Sequence, residues 1–313
     1  MSVWQEKIEA AFAKRARLLS GEVTDSVRLF HGYGDGQAGV AIEKFADLAI
    51  VEYRRPIQEQ LDAIKRALLS VYPFQAIVGK GHQSLGGKLR HRLKLLHGEV
   101  DEAAVVAHEH GLRYRIHGMA PHNAGLYLDA RPARKWLLEN SRGRRILNLF
   151  AFTGSLGLAS RVGGAVAVYH VDRSQEAVRR IGENYALNGQ SLDSRDVVRG
   201  DLYRHLSRAV KAGHRFDGII LDPPPQVYSG HRKSTIKGQD FPHLTTLCGE
   251  LLAPGAWMMC LFHRFEQSLE EFEGQVERHT QTPVEAIWRC TSEEDFADPD
   301  PQRRLRITVY GAA

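Results

Sequence analysis

This 313-residue chain is predicted to be an α/β protein with a doubly wound parallel sheet, on three observations. From Ile146 onward, short apolar runs of strand length alternate with stretches of helical periodicity. Four of the runs lead into residues suited to a ligand: Phe150-Ala-Phe-Thr-Gly154, Asp172, Asp201 and Asp222-Pro-Pro-Pro225. Asp172 also follows the glycine turn at roughly the 20-residue spacing of a ribose-binding acid, which puts the expected crevice at the carboxyl ends of the strands.

The elements before Ile146 predict a smaller α+β unit. Trp4 to Leu19 reads as one amphipathic helix, with Ile8, Phe12 and Leu18 or Leu19 near one face and Lys14, Arg15 and Arg17 elsewhere. Gly32, Gly34, Gly36 and Gly39 mark a turn-rich entry to a strand over Asp47 to Tyr53. Gln58 to Leu69 is helical, Gln75 to Val78 is a strand, and Val105 to His117 is a hairpin around His110-Gly111. Pro121 and Asn123 break the pattern, so a boundary is expected near Gly118, dividing an accessory domain of residues 1–118 from a second domain of residues 119–313.

Between those strands lies Gly79 to Lys94, with three lysines, two arginines, two histidines and no acid. Such a segment can follow a phosphate backbone, which makes Lys80, Lys88, Arg90 and Arg92 candidate RNA contacts. The bland alternative is a solvated loop. A phosphate-binding P-loop is disfavoured, because Gly81 and Gly86 are followed by Gly87 where that motif needs lysine.

In the second half Ile146 to Phe150 is a strand, Thr153-Gly-Ser155 a turn that lets backbone approach a ligand, and Leu156 to Val162 a helix. A helix start presents unpaired N–H groups to an anionic ligand. The full G-x-G-x-x-G fingerprint is absent, so the turn alone is weak evidence. Ala165 to Val171 is the next strand. Ala177, Val178, Ile181, Tyr185 and Leu187 then recur at helical spacing before Asn188-Gly189. Asp196 to Arg199 and Phe216 to Leu221 are further strands; Ala256 to His263 and Leu305 to Tyr310 complete the set.

Lysine and arginine exceed aspartate and glutamate by 42 to 37, a net charge of +5 that permits nucleic-acid binding without demanding it. Cys248, Cys260 and Cys290 lack metal or disulfide spacing, which points to a reducing cytoplasm. No run approaches membrane-spanning length. His108, His110, His117 and His122 have no ligand-type partners in sequence, so they are expected to be surface histidines and no metal is expected.

With these residues in view, the chain resembles class I S-adenosylmethionine-dependent methyltransferases, and more closely the 23S ribosomal RNA methyltransferases that join a small α+β domain to a Rossmann-like catalytic sheet. The resemblance is carried by Arg28-Leu-Phe-His-Gly-Tyr-Gly-Asp-Gly36, Gly125-Leu-Tyr-Leu-Asp-Ala-Arg131, Leu147 to Gly154, Val171-Asp-Arg-Ser174, Asn188-Gly189 and Leu221-Asp-Pro-Pro224. It implies S-adenosylmethionine as cofactor, and 23S RNA or an assembling large ribosomal subunit as partner. It places the methionine end on Phe150 and Phe152 to Gly154, the ribose on Asp172 with Arg173, and the adenine on Asp201 with Leu202. Asp129 and Arg131 would buttress the pocket. Asp222, Pro223 and Pro224 would form the reacting centre. From the residues themselves, Arg232 and Lys233 after the Pro-Pro-Pro loop are candidates to hold an RNA phosphate near the target nucleotide, and His263 either contacts the flipped base or caps its strand.

The target atom follows from what each chemistry needs. Pyrimidine C5 requires a cysteine that adds to C6. Cytosine-C5 members carry that cysteine just after the fifth strand, where this chain has His263, while Cys260 falls within the strand. Exocyclic amines go with Asp- or Asn-Pro-Pro-aromatic, but here Pro225-Gln226 follows, with Tyr228 the substitute ring. Guanine N7 carries its own lone pair and needs only orientation. Thr153-Gly-Ser155, Asp129-Ala-Arg131-Pro-Ala-Arg134 and Glu294-Asp-Phe-Ala297 look most like a guanine-N7 unit. Two stretches depart from it: Asp222-Pro-Pro-Pro-Gln-Val227, and Leu261-Phe-His263 in place of a polar run. The expectation is N7 methylation by in-line transfer; the alternatives are cytosine-C5 methylation through Cys260 and an inactive cofactor-binding RNA or ribosome-assembly module.

Overall fold

The computed structural model describes residues 2–20, 23–85, 88–101, 104–121, 123–224, 241–263 and 266–313. His122, Pro225, Tyr228, Arg232 and Lys233 lie outside the described residues. The chain divides into two compact units, Met1–Arg131 with Glu293–Pro299, and Pro132–Ser292 with Asp300–Ala313.

In the first unit the expected single helix is two, α1 (Val3–Lys14) and α2 (Ala16–Leu19). The helix breaks at Arg15, whose buried guanidinium binds Asp35 at 2.7 Å and the Asp295 carbonyl at 2.8 Å. Five strands follow: β1 (Ser26–His31), β2 (Val40–Phe45), β3 (Leu48–Arg54) and, after helix α3 (Leu61–Val71), β4 (Ala76–Leu85) and β5 (Lys88–Gly98). They form a sheet in that order, with β3 and β4 parallel and the other pairs antiparallel. Trp4, Ile8, Ile64 and Leu68 of the helices pack with Leu29, Ile42, Val51 and Ile77 of one sheet face. The other face carries charges such as the Arg28–Glu43 pair at 2.8 Å, and these polar positions hid β1 and β2 from the hydrophobic pattern. The hairpin β6 (Val106–Glu109) and β7 (Leu112–Arg115) turns at His110 and Gly111, both at positive φ as a two-residue turn requires.

The stretch from Gly79 to Lys94 enters β4 and β5 as paired strands, not as a loop between strands. Its period-2 alternation of cations and leucines is a strand pattern. Gly79 and Gly81 fit beneath the Tyr53 ring; a Cβ at Gly81 would lie 2.9 Å from the Tyr53 oxygen.

In the second unit the elements run α4 (Arg131–Asn140, its first residue belonging to the first unit), β8 (Arg145–Leu149), α5 (Ser155–Val162), β9 (Ala167–Asp172), α6 (Gln175–Leu187), β10 (Val197–Arg199), α7 (Leu202–Lys211), β11 (Phe216–Leu221), α8 (Phe241–Leu251), β12 (Leu252–Phe262), α9 (Leu269–Thr280), β13 (Val284–Thr291) and β14 (Arg306–Ala312). The sheet order is β10-β9-β8-β11-β12-β14-β13. The strands from β10 to β12 are parallel, and β14 and then β13 are each antiparallel to their neighbour. Chain order reverses between β8 and β11, the switch point at which ligands bind such sheets. Leu147, Leu149, Val171, Ile219, Leu221, Met258 and Phe262 pack with Leu244, Leu251 and Phe272 to hold the strand ends in place. Phe262 and Phe272 stack with centroids 4.0 Å apart.

Candidate cofactor and target site

The carboxyl rim of β8 has a constrained backbone. Phe150, Phe152 and Gly154 adopt φ of 55°, 48° and 74°, and the two phenylalanines pay about 1–3 kcal/mol each for it. Four bonds enforce that shape. Ala151 N–H donates to the Val171 carbonyl at 3.1 Å, Gly154 N–H to the Ala151 carbonyl at 2.7 Å, Phe152 N–H to Asp172 Oδ2 at 2.9 Å, and Asn184 Nδ2 to the Thr153 carbonyl at 2.9 Å. Asp172 also accepts Ser174 N–H through Oδ1 at 2.8 Å. It therefore shapes the loop.

Gly154 stands at the start of α5 with no side-chain cap, which leaves the first N–H groups of the helix for an anionic group. Underneath, Gly157 meets His170: an added Cβ would lie 2.4 Å from His170 Cε1 and 2.9 Å from Asn148 Nδ2. His170 is fully buried. Asn148 Nδ2 donates to its Nδ1 at 3.2 Å, so the proton sits on Nε2 and is given to the Tyr185 hydroxyl at 2.8 Å. Burial pushes the imidazole pKa down to about 3. The residue stays neutral when folded but takes a proton at about 6.5 when unfolded. Stability is therefore complete above pH 6.5 and is lost as pH falls toward about 3, by about 1.4 kcal/mol per unit. Urea midpoints across that range are expected to fall less steeply for His170→Gln; parallel curves would contradict the assignment. Sequence reasoning missed His170, Asn148 and Asn184. The signal was present, since Asn148 and His170 interrupt otherwise apolar strands.

Asp201 caps α7 by accepting Arg204 N–H at 2.9 Å, and Gly200 N–H ties the same rim to the Asp172 carbonyl at 3.0 Å. The Leu202 side chain is buried in the apolar core, while Arg173 is exposed. On the other side of the switch point, Asp222 at the end of β11 accepts from His263 Nε2 at the end of β12, 2.9 Å away. Both side chains are about a quarter exposed, 22% and 27%. Pro223 is buried and Pro224 exposed. His263, expected to face RNA, is thus first a partner of Asp222.

Two expected site residues are fully buried. Arg131 is fully buried in the first unit, within reach of Glu293 at 2.6 Å, Asp295 at 3.2 Å and Glu109 at 3.4 Å, and it donates to the Ser26 carbonyl at 2.8 Å. A cation so enclosed supports the packing of that unit. Lys80 has no exposed surface and lies across from Glu52, so it presents no ammonium to a phosphate in solvent. Burial pushes the Glu52 carboxyl up, but His82, Arg28 and Lys80 bring it net below its ordinary value. Asp129 sits in a short helical turn, Leu128–Ala130, where its charge acts on Arg28 and Glu43. Arg92 is exposed, and Lys88 and Arg90 are described as backbone in β5.

Of the histidines expected at the surface, His108 is exposed and bound to Asp25 at 2.7 Å, whereas His117 is buried. Among the described residues no cluster of three or more His, Cys, Asp or Glu could hold a metal, and no helix is long and apolar enough to cross a membrane.

A rim with an acid after β9, a strained glycine loop before α5 and an Asp-Pro-Pro turn after β11 matches a known family across most of the chain. The family model of S-adenosylmethionine-dependent methyltransferases covers residues 27–310. The chain belongs to that family. Curated relatives include ribosomal RNA large subunit methyltransferase I of Aeromonas salmonicida, 30% identical over 81% of this chain and 64% of the relative. The protein of that name from Klebsiella pneumoniae (strain 342) is 30% identical over 82% of this chain and 64% of its own length. The chain thus spans a little under two thirds of these relatives. Among solved structures, a Streptococcus mutans protein described as an S-adenosylmethionine-dependent methyltransferase superposes with a TM-score of 0.87 over 99% of this chain and 81% of that one, at 22% identity. One from Agrobacterium tumefaciens superposes at 0.67, over 93% and 91%, at 19% identity; these likenesses concern the fold. The rim fits that family's cofactor: uncapped N–H groups at the start of α5 would take its carboxylate, and the Asp172 oxygens would accept from its hydroxyls.

Proposed function

We propose that the chain methylates a base of large-subunit, 23S ribosomal RNA in the cytoplasm, at guanine N7, by direct in-line transfer with no covalent intermediate. RNA as substrate is supported by the curated relatives, whose printed name is ribosomal RNA large subunit methyltransferase. The direct route rests on the placement of the cysteines. Cys248 and Cys260 are fully buried in the apolar core; burial pushes the Cys248 thiol up to about 12, and burial with Cys248 nearby raises Cys260 well above its ordinary range. Cys290 lies on edge strand β13, two strands from the level of Leu261 in β12 through Ile307, or about 10 Å. None is a thiolate beside Asp222, and pyrimidine C5 chemistry needs one.

The bound cofactor supplies a methyl group on a cationic sulfur. The loop from Phe150 to Gly154, held by Asp172 and Asn184, orients its methionine end. Asp222, held by His263, sets a fixed carboxylate at the target end of the rim, where it favours a base that gains positive charge on methylation. Guanine N7 is such a base.

Nucleosides of 23S RNA from cells with and without the gene are expected to differ in 7-methylguanosine. Loss of 5-methylcytidine alone would overturn the reading. The purified Cys260→Ala variant is expected to methylate at the parent rate, whereas a fall of several orders of magnitude would restore the covalent route.

A further inference from the structure

Across the β4–β5 ladder the register sets no acid opposite the cations of β5. Register pairs Gly79 with Lys94 and Gly81 with Arg92, then Gln83 with Arg90 and Leu85 with Lys88. Positions 88, 90, 92 and 94 therefore share one face of the strand, about 6.8 Å apart. Opposite them β4 offers two glycines, a glutamine and a leucine, with no carboxylate. Tyr53 identifies the face: its ring meets Gly79 and Gly81, and the charge of Arg92 acts on its phenol. Lys80 alternates to the other face, buried near Glu52.

Arg92 and Lys94 are both exposed. The acid that feels Lys94 is Asp62 of α3, itself exposed, bonded to Lys65 and also near Arg66. An edge strand does need charge to prevent pairing with another chain, but a single lysine meets that need. Like charges repeated at i, i+2 on one face repel, and a polyanion relieves the repulsion. The spacing along the strand resembles that of successive phosphates in a single strand of nucleic acid.

We propose that this face of the β4–β5 ribbon is a phosphate track: one RNA strand lies along β5, with Arg92 and Lys94 each taking one phosphate without reading bases. The proposal rests on RNA being the substrate. Its test is the salt dependence of binding of the full chain to a short fluorescent single-stranded RNA. Each phosphate contact adds about 0.7 to the slope of log affinity against log salt. The double variant Arg92→Ala/Lys94→Ala is expected to lower that slope by about 1.4, and to weaken mixed-sequence and polyuridine RNA equally. Circular dichroism should be unchanged, as both side chains are exposed. Arg195→Ala/Arg303→Ala removes the same net charge from exposed sites of the second unit and is expected to leave the slope alone.

An unchanged slope in the ribbon variant, or an equal fall in the control, overturns the track. So does loss of binding to phosphatidylserine vesicles with RNA affinity intact, which would make the partner a membrane. Failure of the unaltered chain to bind RNA at any salt instead removes the reading that RNA is the substrate.

Discussion

Asp295→Ala is expected to destabilise the first unit by about 3–5 kcal/mol, the usual cost of opening a buried ion network on one side. Asp295 is fully buried and lies 3.2 Å from Arg131 Nη2, while its Oδ2 also accepts Arg28 N–H at 3.0 Å. Its backbone carbonyl accepts from Arg15. Without the carboxylate, Arg131 keeps Glu109 and Glu293 but loses a close counter-charge, and the Arg28 amide is left unsatisfied in the interior. Asp295→Asn preserves an acceptor for that amide and should fall between the two. Urea unfolding gives the comparison: the midpoint should drop with the slope unchanged. A loss below about 1 kcal/mol would mean that desolvation of the network cancels its attraction.

Asp172→Ala is expected to weaken S-adenosylmethionine binding by about 100-fold, or about 2.8 kcal/mol. Two effects add. The acceptor proposed for the ribose is removed, and so are the bonds to Phe152 N–H and Ser174 N–H. The first of those bonds helps to hold Phe150 and Phe152 at positive φ, a conformation that relaxes when its restraints go. Asp172→Asn retains one acceptor oxygen and should recover part of the loss. Calorimetry decides it, and equal affinity in the alanine variant would sink both the ribose assignment and the loop argument.

Legibility followed the arrangement of polar groups. Strands β8, β9 and β11 were read from sequence to within a residue or two because they are predominantly apolar runs, each broken by only one or two polar residues. Strands β1 and β2 were missed, and β4 and β5 were read as a strand with a basic loop, because one sheet face carries Arg28, Glu43, Glu52 and Lys80. Glu43 and Lys80 are buried and Arg28 and Glu52 half-buried, a state that composition alone does not distinguish from solvation. Arg15 was assigned to a helix surface for the same reason. The length and alternation of Lys88 to Lys94 contained the strand, but only pairing with β4 revealed it.

By itself the sequence determined the α/β class, the positions of the parallel strands along the chain and the residues at their carboxyl ends. Those depend on local periodicity and on short-range turn chemistry. Tertiary structure alone decided which polar groups meet: His263 with Asp222, Asn184 with the Thr153 carbonyl, His170 beneath Gly157, and Arg131 with Asp295. Each of these contacts joins residues at least 13 positions apart, and the environment of a side chain, not its identity, determines whether a charge binds a ligand or supports the fold.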